Sequence, residues 1–425
     1  MLLRAPIFHT PKNPFYQDHA LEVFEDGAIY ISEGKIADLG DYNDVRRRHP
    51  DSPSRDLRDG VILPGFIDTH IHFPQVRVMG GLGMTLLEWL EHNTLPEEAK
   101  MSDYPYASSV AQEFLHNLLI NGTTTALVFG CHFETGQRAF FEAAKASKLR
   151  IISGMVLSDR MLLESLHQTP QAAYQASKEL IREFHQKDRL LYAVTPRFSL
   201  SASEAILEVC QSLHEEHQAL RFTSHINEND REIATVKELF PWARDYLDTY
   251  ERFGLVHEHS VFAHNVHPHE DELRRLSAAK AAVSHCPCSN AALGSGIFPM
   301  LRHVKARVKF SLGTDVGGGT GFGLAKEALQ SYFLQHLSVE GYELSPNHLL
   351  YLATKAGAEA LGLVDVGDLS VGQAADFIYL RPPQGSAFAS VLKHAEDSER
   401  MLAAIFTLTS AESVAEVWVG GARLH

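Results

Sequence analysis

Between about Pro64 and Gly362 the chain alternates short, β-rich apolar runs with longer stretches of helical periodicity, eight times over. The runs end near His72, Phe129, Leu157, Pro196, His225, His264, His285 and Asp315. Strand then helix, repeated eight times, is what a (β/α)8 TIM barrel requires, because each parallel strand needs a crossover to bring the chain back to the same edge. A doubly wound open sheet is the competing arrangement of the same elements. Ser201-Ala202-Ser203-Glu204 has the spacing of a capping box and predicts a helix that buries Ile206, Leu207, Cys210 and Leu213. Further helices are expected from about Arg231 and about Pro268.

The two ends read differently. Ala28–Ile31 and Lys35–Leu39 flank a Ser32-Glu33-Gly34 turn, Asp376–Leu380 is a strand closed by Pro382-Pro383, and Val417-Trp418-Val419 runs into a Gly420-Gly421 hairpin turn. Neither end alone can bury the core of a β-sandwich. Both are therefore expected to form one small β-sandwich domain, residues 1–63 plus 371–425, beside a barrel of residues 64–370.

Composition narrows the partners. With 38 Lys+Arg against 53 Asp+Glu the formal charge is −15, and no basic run is present to hold a nucleic-acid backbone or an anionic membrane. Four cysteines without Cys-x-x-Cys spacing suit a reducing compartment rather than a disulfide framework. No stretch approaches 18 apolar residues and the first residues lack a signal-peptide core, so a cytoplasmic, unanchored protein is expected. The 24 histidines raise the expectation of a metal site.

Reactive groups of a barrel project from the C-terminal ends of its strands. The first strand closes as Phe66-Ile67-Asp68-Thr69-His70-Ile71-His72, and alternation points His70 and His72 to one side, where both can chelate one ion. His257/His259 and His267/His269 repeat the spacing, but they sit among Glu258, Pro268, Glu270 and Asp271 and read as loop or helix-start residues. His225 and Asp315 stand at two further strand ends. Three neutral imidazoles and a carboxylate leave room for water, as in a catalytic metal site. Zn²⁺ is the first choice, with Fe(II) or Mn(II) as alternatives.

Glu228 follows His225 by three residues, near enough to act as general acid/base. His264 can hydrogen-bond the nucleophile or the developing oxyanion. Asp315 can also take a proton from water. The fourth strand, Leu191 to Pro196, carries no lysine that could bridge two ions, so one metal is expected. Gly317–Gly323 lacks the registers of a phosphate loop and reads as a close-approach loop. Pro287-Cys288 has no second cysteine to complete a cytidine-deaminase signature, and no His-Glu-x-x-His occurs.

Pro64-Gly65-Phe66-Ile67-Asp68-Thr69-His70-Ile71-His72-Phe73-Pro74-Gln75 opens an ordered set of segments. It continues with Leu86–Leu90, Thr195–Leu200, Ser224–Asn229, Ser284–Pro287 and Leu312–Val316. In these the chain resembles the amidohydrolase superfamily. The Pro74-Gln75, Pro196-Arg197-Phe198 and His225-x-x-Glu228 combination is similar to the guanine deaminase branch. The resemblance implies one zinc on His70, His72, His225 and Asp315, and a purine site of Gln75, Arg197, Phe198, Glu228, His264 and Asp315. It implies hydrolytic attack at guanine C2, with Glu228 protonating N3 and then the departing amine, and a homodimer. Cys288, where the family more often has Asn, is expected to line the site region. The alternatives are a related aminohydrolase acting on 8-oxoguanine, a pterin, a methylthioadenosine-type nucleoside or a triazine, or a non-catalytic binding relative. Leu86 to Glu98 reads as part of a lid, with Trp89 as core packing.

Overall fold

The computed structural model describes residues 1–80 and 82–425. The chain opens with β1 (Leu2–His9), β2 (Glu22–Ser32), β3 (Lys35–Asp41), β4 (Ser54–Asp56) and β5 (Val61–Pro64). It runs on through β6 (Phe66–His72), β7 (Thr123–Phe129), β8 (Arg150–Gly154), β9 (Val156–Leu157) and β10 (Leu190–Pro196). Then come β11 (Arg221–Ile226), β12 (Ser260–His264), β13 (Ala282–His285) and β14 (Lys309–Leu312). It ends with β15 (Phe377–Leu380), β16 (Val414–Val419) and β17 (Ala422–Arg423).

Strands β6, β7, β8, β10, β11, β12, β13 and β14 lie side by side in that order, with β9 beside β10. Every one of these pairings is parallel. The seam between β14 and β6 closes at the strand ends. There the Asp315 N–H donates to the His70 carbonyl at 2.8 Å, and the His72 N–H to the Val316 carbonyl at 3.0 Å. Gly313 permits this approach, since a Cβ there would stand 2.8 Å from the Cβ of His70. A closed seam excludes the open doubly wound sheet. Ile67, Leu127, Ile152, Ala193, Val261 and Ala282 form one buried layer in contact with Ala358 and Leu361. A barrel interior filled in this way is a packed core, so ligands are left with its mouth.

Local chemistry explains most helix starts. The helix Asp230–Leu239 opens with a reciprocal box between Asn229 and Glu232, and Glu270–Ala278 with one between His269 and Glu272. The helix Glu204–Glu216 buries the expected Ile206, Leu207, Cys210 and Leu213, but its cap is Ser203 rather than Ser201. The reason is tertiary: the Asp159 carboxylate, from a neighbouring loop, accepts from both the N–H and the hydroxyl of Ser203.

The chain ends share one sheet, in the order β17-β16-β15-β5-β1-β2-β3 with β4 beside β1. It encloses a core that includes Leu3, Ile29, Ile62, Phe377 and Trp418. The two hairpin turns meet across it. Ala375 N–H donates to the Gly34 carbonyl at 2.9 Å and Gly421 N–H to the Ala375 carbonyl at 3.1 Å. Between β15 and β16 lie the helices Ala387–His394 and Ser398–Leu408, whose Phe388, Leu402, Ile405 and Phe406 join the large core around the barrel. Among the described residues no helix is long and apolar enough to cross a membrane.

Candidate metal centre and active site

The barrel mouth collects the residues that the sequence singled out. His70 and His72 end β6, their rings 4.8 Å apart, so alternation did orient them together. His225 is the penultimate residue of β11, and Asp315 lies three residues beyond β14 rather than on it. Asp315 and His264 both take left-handed backbone conformations, φ 49° and 74°. Such φ values cost about 1–3 kcal/mol each in a non-glycine residue and persist where surrounding structure enforces them. For Asp315 that enforcement includes the N–H bond to His70 that closes the barrel.

Ligand atoms of His70, His72 and His225 converge within 4.8 Å of one another, as do those of His70, His264 and Asp315. His72 Nε2 stands 3.1 Å from His70 Nε2 and 3.1 Å from Asp315 Oδ1, which is 3.3 Å from His70 Nε2. Burial pushes the His70 imidazole down to about 3 and lowers His72, and burial together with His70 and His72 holds His225 well below the usual range. The rings are therefore neutral near pH 7. Their lone pairs crowd against a carboxylate, an arrangement that a divalent cation between them relieves. His225 Nδ1 donates to the Arg197 carbonyl at 2.6 Å, which turns Nε2 toward the cluster and fixes the tautomer. The donor set of imidazole nitrogens and one carboxylate fits Zn²⁺, Fe(II) or Mn(II).

Beside the cluster lies a cavity. His72, His225, His264, Asp315 and Glu228 line it together with Gln75, Arg197, Phe198, Leu86, Trp89, Leu90 and Leu293. This mixture of apolar walls and a few fixed polar groups is that of a small-ligand site. Glu228 is 3% exposed and accepts from the Ser295 hydroxyl at 3.3 Å. Burial and the Asp315 charge push its carboxyl up to about 8, within reach of a proton carrier's working range. His264 Nδ1 donates to the Asn290 amide oxygen at 3.0 Å, leaving Nε2 at 3.5 Å from Glu228 and 3.9 Å from Asp315.

The amidohydrolase family pattern matches residues 61–424. The chain belongs to the amidohydrolase family. A probable guanine deaminase of Deinococcus radiodurans is 58% identical over 427 residues, covering 99% of this chain and 97% of that one. The solved structure of Escherichia coli guanine deaminase matches with a TM-score of 0.96 at 37% identity, over 100% of this chain and 99% of that one. That of the guanine deaminase from Bradyrhizobium japonicum gives 0.95 at 34%, with the same coverage.

In this amidohydrolase several sequence expectations meet different fates. His257 and His259 are half-buried in the loop before β12, His269 caps a helix, and His267 donates to the Ser295 carbonyl at 2.7 Å. None of these joins a metal-holding group among the described residues. Gly317 is the close-approach residue expected: its N–H donates to Gln75 Oε1 at 3.1 Å, and a Cβ would stand 2.8 Å from the Gln75 carbonyl. Cys288 does not line the cavity; it is buried, with its N–H on Glu327. Glu327, which takes that N–H at 3.0 Å, belongs to the Leu324–Leu337 helix. Trp89 is 3% exposed and belongs to the core, yet also forms part of the cavity wall.

The reading of residues missed Glu98 as a site residue, and with it His132, Asn290 and Ser295. Glu98 Oε1 accepts from Gln75 Nε2 and from Arg197 Nη1, both at 2.8 Å, and Oε2 accepts from Arg197 Nη1 at 2.7 Å. His132 Nδ1 lies 3.4 Å away. Burial pushes the Glu98 carboxyl up, but the charges of Arg197 and His132 and the hydrogen bonds from Arg197 and Gln75 together more than offset this, leaving it below the usual range. Nothing local separates Glu98 from Glu97, which binds Lys100 and the Tyr106 hydroxyl.

Proposed function

We infer that this amidohydrolase is a guanine deaminase, hydrolysing guanine to xanthine and ammonia. The observation that carries the reading is the cavity itself, which is lined both by imidazoles and Asp315 of the metal-holding cluster and by the hydrogen-bond donors Arg197 and Gln75. Guanine presents an amidine carbon at one end and a carbonyl with ring nitrogens at the other. We assign His70, His72, His225 and Asp315 to one zinc ion per chain, with Fe(II) or Mn(II) able to occupy the same donors. When bound, the ion acidifies water and so supplies a nucleophile at neutral pH.

The chain's own groups do the rest. Arg197 directs a forked donor, and Gln75 an amide, at the carbonyl end of the purine, and Phe198 packs on its face. Asp315 takes a proton from water. Glu228 delivers its proton to N3, takes up the proton of the oxygen that has added at C2 and passes it to the amine as the C2–N bond breaks, and is reprotonated by the proton that Asp315 took from water; its raised pKa keeps a proton available near neutrality. His264 steadies the oxygen that adds at C2. The same reading carries a division into residues 1–63 plus 371–425 and 64–370, and a homodimer, which rests on the family resemblance. It also carries a cytoplasmic site of action, supported by four free cysteines and the acidic charge.

The test is ammonia release and ultraviolet absorbance with guanine, 8-oxoguanine and adenine as substrates. Conversion of guanine to xanthine with little activity on the other two is expected, and inertness toward guanine at full metal occupancy would overturn the assignment. Arg197→Ala should lower kcat/KM on guanine by about 10²-fold or more, because it removes a charged donor and leaves Glu98 buried without its partner. Metal content measured by atomic absorption should stay near that of the wild type. Retained guanine activity in that variant would sink the carbonyl-recognition role.

A further inference from the structure

Behind the wall of Arg197 and Gln75, outside the cavity lining, lies Glu98 on the short helix Leu95–Ala99, 1% exposed. Its two oxygens take the Arg197 Nη1 and one N–H of Gln75 at 2.7–2.8 Å. The other end of the Gln75 amide is also committed, since Oε1 accepts the Gly317 N–H at 3.1 Å. The amide therefore cannot turn over without losing both bonds. Arg197 spends a single nitrogen on Glu98, and among the described residues its Nε and Nη2 have no protein partner. What this wall offers a ligand is then N–H alone: two guanidinium nitrogens and the second N–H of Gln75. A wall of donors grips a ring carbonyl and repels an amino group, which would leave buried donors facing a donor.

We propose that Glu98 is a positioning residue that selects 6-oxo purines, by locking Arg197 and Gln75 as donors aimed at the carbonyl. The inference rests on the guanine deaminase reading above. A neutral amide in place of Glu98 frees the Gln75 amide to present its oxygen and leaves the guanidinium without its buried anion.

The test compares guanine with 2-aminopurine, which carries the same amine at C2 but no carbonyl at C6, on metal-loaded wild type and Glu98→Gln. Where turnover of 2-aminopurine is slow, its inhibition constant against guanine serves in place of kcat/KM. The wild type should favour guanine, and Glu98→Gln should cut that preference by about tenfold or more, the scale of a hydrogen bond to a charged group, mainly through KM. A purely structural role would weaken both ligands by the same factor, and that result overturns the proposal. If Glu98→Gln does not fold, Glu98→Asp keeps the charge but is too short to reach both partners. It should reduce the preference by about threefold, and an unchanged preference there overturns the proposal too. A wild type inert toward guanine would overturn the functional reading and this inference with it; an active wild type whose variants lose both substrates equally overturns this inference alone.

Discussion

Glu228→Gln is expected to lower kcat on guanine by about 10²–10⁴-fold, the range for loss of a positioned general acid/base. Gln has nearly the same shape and can still meet the Ser295 hydroxyl, which approaches Glu228 Oε1 at 3.3 Å. Metal content and guanine binding should therefore stay close to wild type, and the loss should fall on kcat rather than KM. Stopped assays for turnover, with calorimetry for binding to the variant, separate the two. A kcat within a few-fold of wild type would refute the proton-carrying role of Glu228 and return the assignment to His264 or Asp315.

Removing the metal is the second large effect. Dialysis against a strong chelator should abolish ammonia release, and adding Zn²⁺ back at one equivalent per chain should restore it. A readout independent of activity accompanies this. The imidazoles of His70, His72 and His225 and the Asp315 carboxylate form no such cluster in the unfolded chain, so the ion binds the native state and should raise the thermal midpoint with concentration. Full activity after exhaustive chelation, with no change in midpoint, would dismiss the metal assignment. Restoration by Fe(II) or Mn(II) in preference to zinc would change the ion and keep the site.

Much of the site was legible because strand geometry is local. In Phe66–His72 the period of two places His70 and His72 together whatever the rest of the chain does. The HxH pair, the His225-x-x-Glu228 spacing and Asp315 after an apolar run all follow from the rule that barrel chemistry gathers at strand ends. Histidine spacing alone did not discriminate, since His257/His259 and His267/His269 share it. The apolar strand preceding His70 did, because only a strand end in a barrel faces the mouth.

Other features needed the fold. The Ser201 box failed as a cap because Asp159, 42 residues before that serine in sequence, holds Ser203 instead. Cys288 was expected at the site because it departs from the family pattern there, but it sits in a helix starting at Pro287 with its N–H on Glu327 and does not line the cavity.

By itself the amino-acid sequence determined the strand-helix alternation, the hairpins at either end, and the identity of the groups that gather at the barrel mouth. Each of these depends on periodicity, turn chemistry or capping within a few residues. The closure of β14 on β6, the left-handed turn at Asp315 and the role of Glu98 were decided by tertiary structure. Glu98 binds Arg197 across 99 positions of the chain, and it does so because burial leaves a carboxylate and a guanidinium no better partner than each other. A pairing of that kind has no local signature, so only the folded molecule distinguishes Glu98 from Glu97 next to it, which is also buried but pairs with the exposed ammonium of Lys100.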